Sequence, residues 1–169
     1  MALWNPAPIN RLLSALFEPP CAACKKTLSA PLDGAVCSDC WAALRMVRPL
    51  ERREVGAAVS WWCAVDHYDG RMKELIHALK YERRRSIGPR LGELMRQRGE
   101  ELLRGAEAVV PVPLHPVRLW RRRFNQAQII AARLVREAGQ RPDLVQAGLL
   151  ARVRVTPRQV GLGAGARRR

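Results

Sequence analysis

The sequence predicts an α/β domain built on a parallel sheet, with a small cysteine-bearing module ahead of it. Residues 109–114 are apolar without alternation, which is typical of a strand buried on both faces. Helical patterns with one apolar face lie on both sides of that run. Two C-x-x-C pairs stand near the N-terminus. Together these features favour a sheet-and-helix core behind a separately organised N-terminal segment.

The composition suits a globular chain with an unusual excess of positive charge. At 169 residues and 48% apolar content, the chain can hold one domain or one domain plus a small module. Thirty basic residues against 15 acidic ones give a net charge of +15. Residues 118–169 hold 13 arginines against Glu137 and Asp143, so +11 of that charge is concentrated there. Such an excess points to a polyanionic partner, either a nucleic acid or a phosphate-rich small molecule.

That charge alone supports no function, because only four of the basic residues are lysines. A preference of this kind for arginine is typical of a GC-rich coding bias. The N-terminus has no basic segment followed by a signal-peptide core, and no run of about 18 apolar residues occurs. We therefore expect no membrane span and a cytoplasmic location.

The first 17 residues predict one short, one-sided helix. Residues 11–17 carry leucines and a phenylalanine at helical spacing, and Asn10 is placed to cap them. We expect this helix to pack on a neighbouring element. A role at a membrane surface is the alternative, disfavoured by the helix's length of about two turns.

Two cysteine pairs provide the strongest signal in the chain. Cys21 and Cys24 are separated by 12 residues from Cys37 and Cys40. Paired C-x-x-C turns at this spacing let four thiolates surround one Zn²⁺. Four sulfurs fill the coordination shell, so the site is expected to be structural, covered by Trp41, Leu44 and Met46. Disulfides are the alternative, disfavoured by the lack of a secretion signal, and Cys63 reads as a core residue.

The rest of the chain alternates predicted strands and helices. A βαβ unit formed by such an alternation is right-handed, and a helix followed by glycine is expected to end there. The predicted elements are a strand over residues 57–66, a helix from Arg71 to about residue 85 with Asp69 as its cap, a helix over 87–103, a strand over 107–114, a helix over 125–138 ended by Gly139, and a strand over 149–153.

The segment between the central strand and the last helix is dense in arginine. After the apolar run comes His115-Pro116, interpreted as a turn, and then the arginines. A strand that leads through a basic loop to a helix N-terminus can bind an anion. Ordinary solvated arginines are the equally weighted alternative. The candidate pyrophosphate- or anion-binding residues are Arg118, Arg121, Arg122, Arg123 and Asn125.

Four stretches in the same order resemble the ComF competence family. Besides the two cysteine pairs, residues 68–81 (YDGRMKELIHALKY) look like its Tyr-x-Gly…Ile-x-x-x-Lys-Tyr segment. Residues 109–127 (VVPVPLHPVRLWRRRFNQA) are similar to its signature strand and loop, and residues 154–162 (RVTPRQVGL) to its R-x-T-x-x-Q-x-x-L pattern. The resemblance spans residues 21–162.

The resemblance implies a double zinc ribbon followed by a type I phosphoribosyltransferase-like domain with a Rossmann-like parallel sheet. Residues 1–48 would hold the helix and ribbon, and residues 56–169 the partial second domain. It further implies a link to DNA uptake and competence, with single-stranded DNA or the uptake machinery as partners. Phosphoribosyl pyrophosphate and Mg²⁺ would bind only in a full-length form with a complete site.

Two departures from the family qualify that expectation. Arg123 stands where the family has glycine, which changes the loop if that position needs a positive φ. The family's paired acids and Thr-Thr-Gly loop occur nowhere in these 169 residues, so the domain is expected to be C-terminally truncated and to lack phosphoribosyltransferase activity.

The alternatives are a zinc-ribbon adaptor that binds incoming single-stranded DNA, or a non-functional fragment. Only Trp120 and Phe124 interrupt the arginines, so no base-stacking surface is evident from the sequence.

Overall fold

The computed structural model describes residues 6–46, 53–54, 61–62 and 64–155, and this part of the chain is mainly helical. The two short strands pair antiparallel, and two 3₁₀ turns, Pro31–Asp33 and Pro142–Leu144, complete the regular structure of the described residues. The helices are α1 (Ala7–Phe17), α2 (Ser38–Met46), α3 (Gly70–Tyr81), α4 (Ile87–Leu103), α5 (Pro116–Arg122) and α6 (Gln126–Glu137), and the strands are β1 (Arg53–Glu54) and β2 (Trp61–Trp62).

The predicted parallel sheet, and with it the Rossmann-like phosphoribosyltransferase-like fold class, is wrong for the described residues. Within residues 107–114 a single parallel bridge joins Val109 to Val145, with Val109 N–H donating to the Leu144 carbonyl at 2.8 Å. Pro111 and Pro113 explain why the pairing stops, because proline has no N–H to donate to a ladder. Two prolines at alternate positions remove consecutive donors from one edge. The segment is extended but is not a strand of a sheet.

The second predicted strand, residues 149–153, is also wrong. It has no regular secondary structure, and Leu149, Leu150 and Val153 are exposed. The apolar residues predict a buried strand, but no strand among the described residues pairs with this segment. Most of the strand predicted over residues 57–66 lies outside the described residues, as does Cys63.

Three predicted helices are confirmed as α3, α4 and α6, each within a few residues of the expected ends. In α3 the apolar positions Met72, Leu75 and Leu79 are buried, as their helical spacing predicts. Asn125 caps α6 by accepting the N–H of Ala127, and Gly139 follows its end with φ +66°.

Helix α1 begins earlier than predicted, and its expected cap is wrong. It starts at Ala7 with Pro8 in its first turn, where proline costs no intrahelical hydrogen bond. Asn10 is therefore buried inside the helix, where its Oδ1 accepts the backbone N–H of Leu32 at 2.9 Å. Ser14 Oγ donates to the Leu28 carbonyl at 2.7 Å. These bonds attach α1 to the cysteine segment.

One buried cluster joins the cysteine segment to the helices. It contains Cys21, Leu28 and Leu44 together with Leu75 and Ile87, among others. Arg98 of α4 reinforces the junction by donating to the Leu44 carbonyl at 2.6 Å and to that of Val65. The predicted boundary between residues 48 and 56 falls largely outside the described residues, so the division into two domains stays a prediction.

Helix α4 packs along α6 at a glycine. A Cβ added at Gly92 would lie 2.6 Å from the Ile130 carbonyl oxygen and 2.8 Å from Arg133 Cβ. Both distances are shorter than those that real Cβ atoms show. The Ile130 oxygen is a backbone atom, so the contact could be relieved only by a shift of the helix. The close approach of α4 and α6 therefore requires glycine at position 92.

We expect Gly92→Ala to reduce the free energy of unfolding by about 1–3 kcal/mol, because the added methyl forces the two helices apart. Gly99→Ala is the matched control, since a Cβ at Gly99 of the same helix meets no atom within 4 Å. Urea unfolding followed by circular dichroism measures both. Equal stability of Gly92→Ala and the wild type would contradict the described packing.

Candidate metal centre and basic surface

The first cysteine pair lies in a tight turn. Cys21 N–H donates to the Lys26 carbonyl at 2.8 Å, and Lys25 N–H returns to the Cys21 carbonyl at 3.0 Å. Lys25 takes a left-handed conformation with φ +64°, which closes the turn. Ala22 N–H donates to the Ala35 carbonyl at 2.8 Å and so ties this turn to the second pair.

The second pair lies at the start of α2. Cys37 immediately precedes the helix, and Cys40 lies in its first turn. Both cysteines therefore lie at the positive end of the helix dipole, although burial raises the pKa of each thiol. Cys37 N–H also donates to Cys21 Sγ at 3.4 Å, which links the two pairs directly.

The four sulfur atoms fit one zinc ion. They all lie within 4.8 Å of one another, with Cys21 Sγ 4.0 Å from Cys40 Sγ and Cys24 Sγ 3.8 Å from Cys37 Sγ. Sulfurs at about 2.3 Å from a tetrahedral zinc stand about 3.8 Å apart. A disulfide requires about 2.05 Å, so the disulfide alternative is excluded for these cysteines. The sequence prediction of a four-cysteine cluster is confirmed, and zinc is the ion that four thiolates suit best.

The pKa values of Cys21 and Cys40 shift in opposite directions. Burial raises the pKa of Cys21, but backbone N–H groups of Cys24, Cys37 and Ala23 outweigh it and lower that pKa to about 6. Burial, the neighbouring cysteine side chains and the negative charges of Cys21 and Cys37 raise the pKa of Cys40 to about 12. The thiolate of Cys21 is therefore favoured while that of Cys40 is disfavoured, and a bound cation would favour the thiolate form of both.

The cluster is enclosed largely as the sequence predicts. Leu44 is buried, and Trp41 is partly buried against the same core. The side chain of Met46 lies outside the description. Cys21 and Cys40 are buried, while Cys24 and Cys37 are partly exposed. Four cysteine ligands would fill the shell of a tetrahedral zinc ion and leave no open position for a substrate.

The predicted arginine loop is a helix. Residues 116–122 form α5, with Pro116 in its first turn and Val117 N–H donating to His115 Nδ1 at 3.3 Å. The sequence predicts a turn at His115-Pro116, but proline is also common at the first position of a helix, and here it begins α5. Arg118, Arg121 and Arg122 therefore lie on α5, and Arg123 is its C-cap.

The structure brings these arginines against the end of α3. Arg83 Nη2 donates to the Arg121 carbonyl at 3.5 Å, and the Arg122 guanidinium lies 5.3 Å from the centre of the Tyr81 ring. Burial, and then the charge of Arg122, lowers the pKa of Lys80. We call residues 80–85 and 118–123 the basic surface. It carries eight basic residues, Lys80, Arg83, Arg84, Arg85, Arg118, Arg121, Arg122 and Arg123, against Glu82 alone.

The predicted anion-binding set is only partly assembled. Arg122 Nη1 donates to Gln126 Oε1 at 3.2 Å. Asn125 caps α6 and donates through Nδ2 to the Val112 carbonyl at 3.1 Å, so its side chain holds the segment together. Arg121 and Arg123 are exposed. The sequence predicts the arginines of residues 83–85 only as a helix end, because contacts such as that of Arg83 with Arg121 join residues 38 positions apart along the chain.

Trp120 is the second feature that sequence reasoning missed. Its side chain is 70% exposed, and the Arg123 guanidinium lies 5.9 Å from its ring centre. Arg85 lies 4.9 Å from the buried ring of Phe124. Three arginines therefore lie over aromatic rings in or next to the basic surface. The i, i+3 spacing of Trp120 and Arg123 is the sequence signal of this contact.

One comparison with known proteins bears on function. The DNA utilization protein YhgH of Salmonella typhimurium (strain LT2) is 33% identical to this chain over 111 residues, which are 63% of this chain and 48% of that protein. The chain thus spans about half the length of the curated relative it matches. No protein-family model matches the chain, and no solved structure does.

A separate observation concerns membranes. Among the described helices, none is long and apolar enough to cross a bilayer.

We expect the purified chain to carry about one zinc ion, because four free thiols at tetrahedral spacing form one closed site. Replacing the buried ligand, Cys21→Ser, should abolish stoichiometric zinc and lower the thermal unfolding midpoint. Elemental analysis and differential scanning calorimetry measure the two effects.

Cys63→Ser is the matched control for that substitution, since it removes the fifth cysteine and leaves the four-thiol cluster intact. It should retain one zinc per chain. Wild-type protein prepared without chelator that holds no zinc, with all four thiols titratable, would contradict the assignment.

Proposed function

We propose that this chain is a zinc-stabilised, single-stranded-DNA-binding protein that acts in DNA uptake or utilization, as the ComF competence family that its motifs resemble does. The observation that carries the proposal is the basic surface, which gathers eight cations from two distant segments next to exposed aromatic rings. The name of the Salmonella relative, DNA utilization protein YhgH, supports the link to DNA.

The charge of the basic surface fits a polyanion with repeated phosphates. A small phosphate-bearing molecule needs two or three donors at a closed site, whereas these cations extend over α5 and the segment after α3. Glu82, the one acidic residue there, lies 3.6 Å from His77 Nδ1. An extended row of cations tracks a nucleic acid backbone.

The metal centre supports this function indirectly. The zinc would hold the cysteine segment, whose buried residues pack on α3, and α3 leads directly into the basic surface. We propose residues 1–48 as the metal-binding module and residues 56–169 as the part that carries the DNA-binding surface. The cytoplasm, where thiols stay reduced, is the compartment that suits this cluster.

Phosphoribosyl transfer is not proposed. The resemblance to the ComF family implies a parallel sheet whose strand ends hold the donor, and the described residues contain no such sheet. Phosphoribosyl pyrophosphate and Mg²⁺ are therefore not assigned to the arginines.

We expect the chain to bind a labelled single-stranded oligodeoxythymidine at low salt. The logarithm of the association constant should fall with the logarithm of salt concentration by about 0.7 for each phosphate contacted. Arg83→Ala/Arg121→Ala should reduce that slope by about 1.4, because two phosphate contacts are lost. Fluorescence anisotropy measures both quantities.

Arg136→Ala/Arg141→Ala is the matched control, because it removes the same charge at and just beyond the far end of α6. It should bind DNA with nearly the wild-type slope. No binding at low salt, an equal effect of both double variants, or tighter binding to RNA of the same sequence would contradict the proposal.

A further inference from the structure

The exposure of Trp120 needs an explanation. Tryptophan has the largest side chain, and burying it is strongly favourable, so it is highly buried on average. Here the indole is 70% exposed on a seven-residue helix, although it contains a large apolar surface. Leu119 and Arg121 flank it along α5 and the Arg123 guanidinium lies over its ring, so the exposed indole is bordered by positive charge as well as by apolar side chains.

The backbone conformation of Arg123 also needs an explanation. Its φ is +66°, in the left-handed region that glycine adopts freely and that costs a side-chain-bearing residue stability. Its N–H donates to the Leu119 carbonyl at 2.7 Å, a bond that glycine would make equally well. The arginine side chain adds one contact that glycine cannot make, namely the guanidinium over the Trp120 ring.

A third observation connects these two residues to the rest of the basic surface. Arg122, between Trp120 and Arg123 in the sequence, lies over the ring of Tyr81, which is itself 38% exposed. Arg83, from the segment after α3, donates to the carbonyl of Arg121, the residue that follows Trp120. Cations of both segments of the basic surface are therefore near the exposed Trp120 ring.

We propose that Trp120, held by Arg123, is the stacking platform for an unpaired base of single-stranded DNA, and that the surrounding arginines contact the flanking phosphates. This inference rests on the proposed function and specifies which residue distinguishes a single strand from a duplex. Every unpaired base has a face that can stack on an aromatic ring, whereas the bases of a duplex are already stacked on one another. The cation–π contact with Arg123 orients the indole before DNA arrives.

The first test separates stacking from charge. Trp120→Ala should weaken binding to a single-stranded oligodeoxythymidine by roughly 5- to 150-fold. Its salt slope should equal that of the wild type, because no charge changes. Trp120→Phe keeps a ring and should retain most of the affinity, and circular dichroism should show that both variants fold, since the indole is exposed.

An abasic oligonucleotide of the same length makes that test sharper, because it keeps the phosphates and removes the bases. The wild type should bind it more weakly than the thymidine oligomer, and Trp120→Ala should bind the two equally. An equal loss on both oligomers, or wild-type affinity of Trp120→Ala, overturns the stacking inference while leaving the proposed function standing. A wild-type chain that binds no single strand overturns both.

The second test concerns Arg123. Arg123→Gly relieves the left-handed strain, so its thermal unfolding midpoint should equal or exceed that of the wild type. Its affinity for the single strand should nevertheless fall by more than that of Arg136→Gln, which removes the same charge from α6. A purely structural Arg123 would instead lower stability when replaced, or leave binding at the level of Arg136→Gln, and either result overturns the role assigned to it.

Discussion

The repulsion among four closely spaced thiolates is the constraint on which the rest of the structure depends. Their sulfurs lie within 4.8 Å of one another, and the pKa of Cys21 falls to about 6 while that of Cys40 rises to about 12. Backbone N–H donors can stabilise one thiolate but not four. A divalent cation would remove the repulsion and make the four cysteines ligands of one centre. Such a centre would fix the turn that follows Cys21 relative to the start of α2.

The consequences of that constraint extend through the packing to the basic surface. Residues of the cysteine segment share a buried cluster with α3 and α4, and Lys25 forms an ion pair with Glu74 at 3.7 Å. The last turn of α3 carries Lys80 and Tyr81, and the latter lies beneath the guanidinium of Arg122. A metal site without an open coordination position can therefore contribute to binding by supporting the helix from which the basic surface begins.

Local features of this chain are predictable from sequence, and its long-range contacts are not. The cysteine spacing indicates the metal cluster because two residues between thiols allow only a tight turn, and apolar periodicity indicates α3. The apolar content of residues 109–114 favours a strand, but Pro111 and Pro113 lack the N–H groups that a sheet requires as donors, so the predicted strand does not form. Helix α5 was missed because Pro116 suits a turn and a helix start equally.

The basic surface depends on pairs such as Arg83 with Arg121, which no local pattern encodes. The charge count shows that residues 118–169 are rich in arginine but does not show which cations meet. The exposed ring of Trp120 and the left-handed backbone of Arg123 likewise emerge only once the chain is folded. X-ray absorption spectroscopy at the zinc edge of the purified full chain tests the central claim most directly. Four sulfur ligands at about 2.3 Å, with no nitrogen or oxygen, are the predicted result; a shell containing nitrogen or oxygen ligands, or no bound zinc, would contradict it.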